Sequence, residues 1–235
     1  MIFTQFQDKT LSLLGMGCMR FPTLQNGKID IAQTREMVDL AIKNGVNYFD
    51  TAYPYHNGES EIVIGEILSN YPRESFFLAD KFPGHQISSS YDPATVFEDQ
   101  LKKCRVDYFD YYLLHNVYEN SINTYKDSRW GIIDYFREQK KNGRIKHLGF
   151  STHGSIEIMK EFLDEFAADM EFCQIQLNYL DWNHAKVQKA RNTNASYLYA
   201  ELEKRGIPVV IMEPLLGGRL AKQPTHILRE MKRMD

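Results

Sequence analysis

The chain has 235 residues, of which 43% are hydrophobic and 25% charged, and its formal net charge is −3. That balance belongs to an ordinary globular domain. It offers no basic excess to displace counterions from nucleic acid, so DNA or RNA binding is excluded as an expectation. No run of roughly 18 apolar residues is present, so no helical membrane span is expected. The N-terminal residues lack a basic head, a continuous apolar stretch and a small-residue cleavage site, so no secretory leader is expected either.

The segment 2–14 alternates around Gln7-Asp8-Lys9 and reads as an N-terminal β-hairpin. A first strand is expected over 14–20. Ile31, Thr34, Met37, Val38, Ala41 and Ile42 then recur at helical spacing, with Asp30 as N-cap and Gly45 as the stop. Further strands are expected over 46–52, 76–81, 108–115, 147–152, 172–178 and 208–214. Several are near-continuous apolar runs, as strands covered on both faces should be. Between them lie helical stripes. Val96, Phe97, Leu101 and Cys104 form one; Ile133 and Phe136 start another, ended by Asn142-Gly143. Ile158, Met159, Phe162, Leu163 and Phe166 form a third, and Tyr197, Leu198 and Leu202 a weaker one ended by Gly206. The stretches 69–75, 84–93 and 118–128 read as loops, and a polar segment follows Gly217-Gly218 to the end.

Strands alternating with helices imply an α/β protein with parallel strands and right-handed crossovers. An open doubly wound sheet and a closed (β/α)8 TIM barrel both fit the rhythm. Length favours the barrel, which usually takes about 250 residues. The expectation is one domain over residues 1–235, a C-terminally truncated TIM barrel with about seven of its strands present, preceded by a hairpin. Such an open barrel would expose a strand edge, so self-association through that edge, or poor stability, is expected. Cys18, Cys104 and Cys173 have neither disulfide-framework nor metal-ligand spacing. They read as buried thiols of a cytoplasmic protein.

Reacting groups of a β/α barrel sit at the C-terminal ends of its strands. Asp50, Lys81 and His115 end three consecutive expected strands, and Tyr55 follows Asp50 by five residues. Taken singly, each has a plain structural reading: a turn starter, a snorkelling lysine, a hydrogen-bonded histidine, one of fourteen tyrosines. Their placement at one mouth favours chemistry. A lysine ammonium beside the phenol would stabilise the phenolate and lower its pKa. Asp50 would keep Lys81 charged and oriented, since an isolated buried cation is costly. Tyr55 could then protonate a carbonyl oxygen, with His115 donating a hydrogen bond to the same atom.

The segments LGMGCMRFP, FDTAYPYHNGESEIVIG, LADKFP, DYFDYYLLHNV, GRIKHLGFSTHGS, CQIQLNYLD and IPVVIMEPLLGGRLA resemble the aldo-keto reductases, in order, from about residue 11 to residue 221. The resemblance implies an (α/β)8 barrel and NAD(P)H-dependent reduction of an aldehyde or ketone to an alcohol. Asp50, Tyr55, Lys81 and His115 match the family's catalytic residues. Cys18 and Met19 match backbone positions lining the nicotinamide, and Asp50 faces the ribose. Ser151-Thr152 resembles the Ser-Asn pair that holds the carboxamide, and Gln174 its further partner. Met212 stands where many members stack an aromatic ring, and Pro214, Leu215 and Gly217 resemble the loop over the pyrophosphate. The cofactor expected is NADP(H) or NAD(H), the partner a small-molecule carbonyl substrate. Within the family, the sequence resembles a bacterial subset that often carries a C-terminal iron–sulfur domain. No Cys-x2-Cys run is present, so no cluster is expected in this chain.

Gly15-x-Gly17 lacks the immediate helix that a phosphate-binding loop needs. Gly149-x-Ser151 lacks nucleophile-elbow spacing. Two rival readings stay open. A metal-dependent barrel hydrolase would recruit Asp50, His115 and His153. A non-catalytic nucleotide-binding or regulatory barrel would use the same pocket, as potassium-channel β subunits do.

Overall fold

A hairpin leads into the sheet. Strands β1 (Phe3–Phe6) and β2 (Lys9–Ser12) pair antiparallel across Gln7-Asp8, as their alternation requires. Seven parallel strands follow: β3 (Met16–Gly17), β4 (Tyr48–Asp50), β5 (Phe77–Phe82), β6 (Phe109–Val117), β7 (Ile145–Thr152), β8 (Phe172–Gln176) and β9 (Val209–Met212). They lie side by side in chain order, so each strand pairs with the next. This computed structural model describes residues 1–84, 92–180, 182–183 and 194–234. Most of the loop expected over 84–93 therefore lies outside the described residues.

The crossovers are helical: α1 (Ile31–Lys43), α2 (Glu59–Leu68), α3 (Pro93–Cys104), the short α4 (Ile122–Lys126), α5 (Ile132–Lys141), α6 (Ile156–Phe166), α7 (Ala195–Lys204) and, after the last strand, α8 (Thr225–Met234). Asp30 caps α1 by accepting from Gln33 N at 3.0 Å, as its side chain predicts. Three elements depart from the sequence reading. Helix α2 opens on Glu59-Ser60-Glu61, and most of its residues are buried, so it shows no clean polar face. Residues 122–126, expected in a loop, close one helical turn because Ser121 Oγ ties up the Asn116 carbonyl at 2.5 Å and receives the Tyr118 N–H at 3.0 Å. The polar tail forms α8, with Ile227, Leu228 and Met231 spaced as a helical stripe and all exposed.

The sheet curls. Gln174 on β8 donates to Asp50 on β4 at 2.9 Å, so strands four places apart meet across its concave side. This is the half-barrel of a (β/α)8 fold with its N-terminal hairpin. Strands β3 and β9 are its two edges. Alternation along the strands stacks the concave face in layers. At the floor, Tyr48, Tyr111 and Phe172 pack together, with Leu11 and Phe6 of the hairpin beneath. Phe6 meets Tyr111 and Phe172 edge-on at 5.9 and 6.2 Å. Gly149 lies beside this layer, and a Cβ there would fall 2.6 Å from the Phe172 ring.

Outside the strands, a second core of Phe97, Phe109, Tyr112, Phe136, Phe150 and Phe162 fills the space beneath the helices. The three cysteines are free and buried, and no helix among the described residues is long and apolar enough to cross a membrane.

Candidate active site

Above the aromatic floor, the next layer is polar. Asp50 is the last residue of β4, and Lys81 the fifth of β5, only 1% exposed. The Lys81 ammonium donates to Asp50 Oδ1, to the Thr51 carbonyl at 2.6 Å and to the Tyr55 hydroxyl at 3.4 Å. Asp50 Oδ2 accepts from Gln174 Nε2 at 2.9 Å and from the Tyr48 hydroxyl at 3.4 Å. Both carboxylate oxygens are thereby engaged, which fixes the plane of the group and, through it, the ammonium.

Tyr55 begins a 3-10 turn, Tyr55–Gly58, with left-handed backbone at His56, Asn57 and Gly58. The turn bends the chain at once into α2 and leaves the phenol over the strand ends. His115 near the end of β6 meets the Tyr55 ring edge-on at 5.9 Å and 88°. The His115 carbonyl accepts from the Tyr125 hydroxyl at 2.6 Å, which holds its backbone in place. The four residues singled out as catalytic therefore share one site.

The electrostatics correct one expectation. Burial raises the Tyr55 phenol above its ordinary value; Lys81 opposes this and Asp50 adds to it. Desolvation thus outweighs the ammonium beside the phenol, and the net shift is upward. Burial works against the Lys81 ammonium, but Asp50 foremost, then Tyr55, more than offset it and raise the lysine. Cys18 is raised by burial, so it stays a thiol.

A cavity of about 1010 Å³ opens beside the tetrad. Asp50, Tyr55, His115 and Gln174 line it from one side, Gly17 and Met19 from β3 and the turn after it, and Met212 and Pro214 from β9 and beyond. Its size suits a nucleotide-sized ligand. Ser151 is the ladder partner of Gln174, so the two share a face. Its buried Oγ has no hydrogen-bond partner. An orphaned hydroxyl beside the Gln174 amide fits a ligand carboxamide.

Not every residue expected at the cofactor site comes to it. Thr152 points to the opposite face from Ser151, and its hydroxyl donates to the Val117 carbonyl at 2.7 Å and accepts from Gly154 N at 3.0 Å. Cys18 is fully buried beneath its turn and its carbonyl accepts from Ser60 Oγ at 2.9 Å, so of the Cys18-Met19 pair only Met19 lines the cavity. Leu215 and Gly217 lie in the loop after β9, outside the cavity wall formed by Met212, Glu213 and Pro214.

Several wall residues went unnoticed in sequence. Tyr48 precedes Asp50 by two positions and hence shares its face, a signal that alternation carries. Arg20 and Glu213, 3.7 Å apart, face each other across the two sheet edges. Outside the cavity lining, Gln176, two residues past Gln174, is 2% exposed with neither amide atom bonded. Among the described residues no group of three or more His, Cys, Asp or Glu is arranged to hold a metal ion. Asp50, the first ligand of the hydrolase reading, is instead committed to Lys81.

Comparison with known proteins agrees with this geometry. The aldo/keto reductase family model matches residues 13–234. An uncharacterised oxidoreductase of Bacillus subtilis, YqkF, is 26% identical over 226 residues, 92% of this chain and 65% of its own length. A glyoxal reductase of the same organism is 28% identical over 207 residues, 88% of this chain and 64% of its own. The chain thus spans just under two thirds of the length of these curated relatives. The holo form of an aldo-keto reductase from Bacillus halodurans superposes with a TM-score of 0.71 at 26% identity, covering 92% of this chain and 67% of that one. Fold, site layer and family model agree, and the chain belongs to the aldo/keto reductase family.

Proposed function

We propose that the chain reduces an aldehyde or ketone to an alcohol with NAD(P)H. The observation that carries this is the Lys81 ammonium, fixed by Asp50 and the Thr51 carbonyl, within 3.4 Å of the hydroxyl of the half-buried Tyr55. The nicotinamide, when bound, supplies the hydride. Ser151 and Gln174 are suited to hold its carboxamide, and Met19, Met212 and Pro214 to line its pocket.

The rest falls to the protein. As negative charge develops on the carbonyl oxygen, Tyr55 donates its proton to that atom. The phenolate left behind is costly where burial has raised the phenol, and Lys81 stabilises it at short range. Asp50 keeps Lys81 cationic and in place, so the compensating charge is preorganised. His115, edge-on to Tyr55, orients the substrate oxygen.

The glyoxal reductase among the relatives makes small dicarbonyls the first substrates to test. The test is oxidation of NADPH or NADH on adding glyoxal, with Tyr55→Phe as control. Turnover lost in Tyr55→Phe while cofactor binding persists supports the reading. Cofactor binding without turnover in the parent chain supports a nucleotide-binding barrel instead.

A further inference from the structure

Behind Lys81, on the side of β5 that faces the helices, lie two buried carboxyl groups that the chemistry above does not use. Asp80 precedes Lys81 and therefore points to the other face of the strand. Glu61 comes from the first turn of α2. Both are 0% exposed, and they belong to one cluster around the Lys81 main chain, where burial and then the charge of Glu61 act on Asp80. Two ionised carboxylates in one dry cluster repel, whereas a single proton on the pair removes that repulsion.

The pair is wired to the lysine main chain. Asp80 Oδ1 accepts the Lys81 N–H at 2.8 Å. Gln100 Nε2, from α3, donates to Glu61 Oε1 at 2.9 Å and to the Lys81 carbonyl at 3.1 Å. The Tyr112 hydroxyl of β6 donates to Gln100 Oε1, which sets the amide orientation. Gly65 makes the assembly possible: a Cβ there would lie 2.7 Å from Cys104 backbone atoms, so only glycine lets α2 and α3 approach this closely.

The charged and titratable groups around the pair are few. Lys103 of α3 stands 3.3 Å from Glu61 Oε2 and is itself held by Asp99 at 2.6 Å. The Cys104 thiol donates to Asp80 Oδ2 at 3.6 Å. Lys81 supplies its N–H from the same strand, and Tyr112 acts through Gln100. Glu61 has the cation and the amide donor; Asp80 has neither. Burial and then Glu61 push the Asp80 carboxyl well above the usual carboxylate range.

The geometry points to Asp80 and Glu61 sharing one proton and serving as a positioning pair that holds Lys81 from behind its strand, an inference that rests on the carbonyl-reducing reading above. The proton resides on Asp80, the charge on Glu61 beside Lys103. Asp80 and Gln100 occupy both main-chain polar groups of Lys81, and the single negative charge supports its ammonium.

Three measurements on the whole chain test this. Infrared spectroscopy at neutral pH should show a protonated-carboxyl C=O band that disappears in Asp80→Asn. Absorbance titration of Tyr55, taken as the difference from Tyr55→Phe, should show the phenol about one pH unit lower in Glu61→Gln, because a nearby negative charge is gone. In turnover, Glu61→Gln should lower kcat about tenfold, leave the cofactor KM unmoved and shift the alkaline limb of the pH profile downward. Asp80→Asn should recover most of the turnover lost in Asp80→Ala. Absence of the band in the parent, an unmoved Tyr55 titration in Glu61→Gln, or an Asp80→Asn no better than Asp80→Ala overturns the inference. The band and the titration need no turnover, so a parent chain without reductase activity defeats the catalytic reading and leaves these two results standing. Should Glu61→Gln fail to fold, the band and the two Asp80 variants still decide.

Discussion

The ammonium of Lys81 stands 3.4 Å from the Tyr55 hydroxyl while Asp50 holds it from the other side, so one cation links a carboxylate to the proposed proton donor. Removing the carboxylate should therefore be felt in folding as well as in turnover. Asp50→Ala leaves a buried cation without its counter-charge, a defect that typically costs about 3–5 kcal/mol. Adding Lys81→Met to Asp50→Ala should restore part of that loss, since the stranded charge is gone. Urea denaturation of the two single variants and the double variant at neutral pH measures the coupling. Strictly additive losses would argue that the pair does not interact.

The two raised groups on β5 act in the same direction with pH, each losing its contribution as pH rises, but in different windows. Lys81 has a folded value above its unfolded one, so its contribution is complete below the ordinary lysine range and is lost as pH rises through the raised value. Asp80 is a carboxyl raised by burial and by Glu61, so the native state holds a proton that the unfolded chain has released. Stability from this group is present in acid, and declines as pH rises from the ordinary carboxylate range toward the raised value. Asp80→Asn mimics the protonated group. It should melt higher than the parent near neutral pH, and the difference should vanish around pH 4, near the unfolded Asp value. Melting curves across that interval check the sign; a destabilised Asp80→Asn at neutral pH would oppose it.

Gly65→Ala should push α2 and α3 apart, because the added methyl would meet Lys103 and Cys104 backbone and not a yielding side chain. Overpacking of this kind costs about 1–3 kcal/mol. Denaturant melts give the stability loss. Since Glu61 rides on α2 and Gln100 on α3, the same substitution should also lower kcat in the proposed reaction.

How much of this was legible in sequence depended on what each residue type reveals alone. All seven parallel strands could be located because strands covered on both faces read as apolar runs, as in β6 with Tyr111, Tyr112, Leu113 and Leu114 fully buried. Their C-terminal ends in turn pointed to Asp50, Lys81 and His115. Helix α2 was illegible because Ser60 and Glu61 look like surface residues and are buried through hydrogen bonds with Thr51 just after β4, the Cys18 carbonyl and Gln100 of α3. The direction of the Tyr55 shift was misjudged for a related reason. Neighbouring charge can be guessed from motif spacing, whereas the depth of burial that outweighs it is a property of the assembled fold. Thr152 shows the converse: strict alternation beside Ser151 already placed its hydroxyl on the other face.

The most direct measurement is glyoxal-dependent oxidation of NADPH and NADH by the parent chain and by Tyr55→Phe, with cofactor binding followed in parallel through tryptophan fluorescence. Loss of a positioned general acid typically lowers turnover by about 100- to 10,000-fold. The expected result is measurable turnover in the parent, a fall of that size in Tyr55→Phe, and cofactor binding alike in both. Equal turnover in the two proteins would contradict the role given to Tyr55 and with it the proposed reaction.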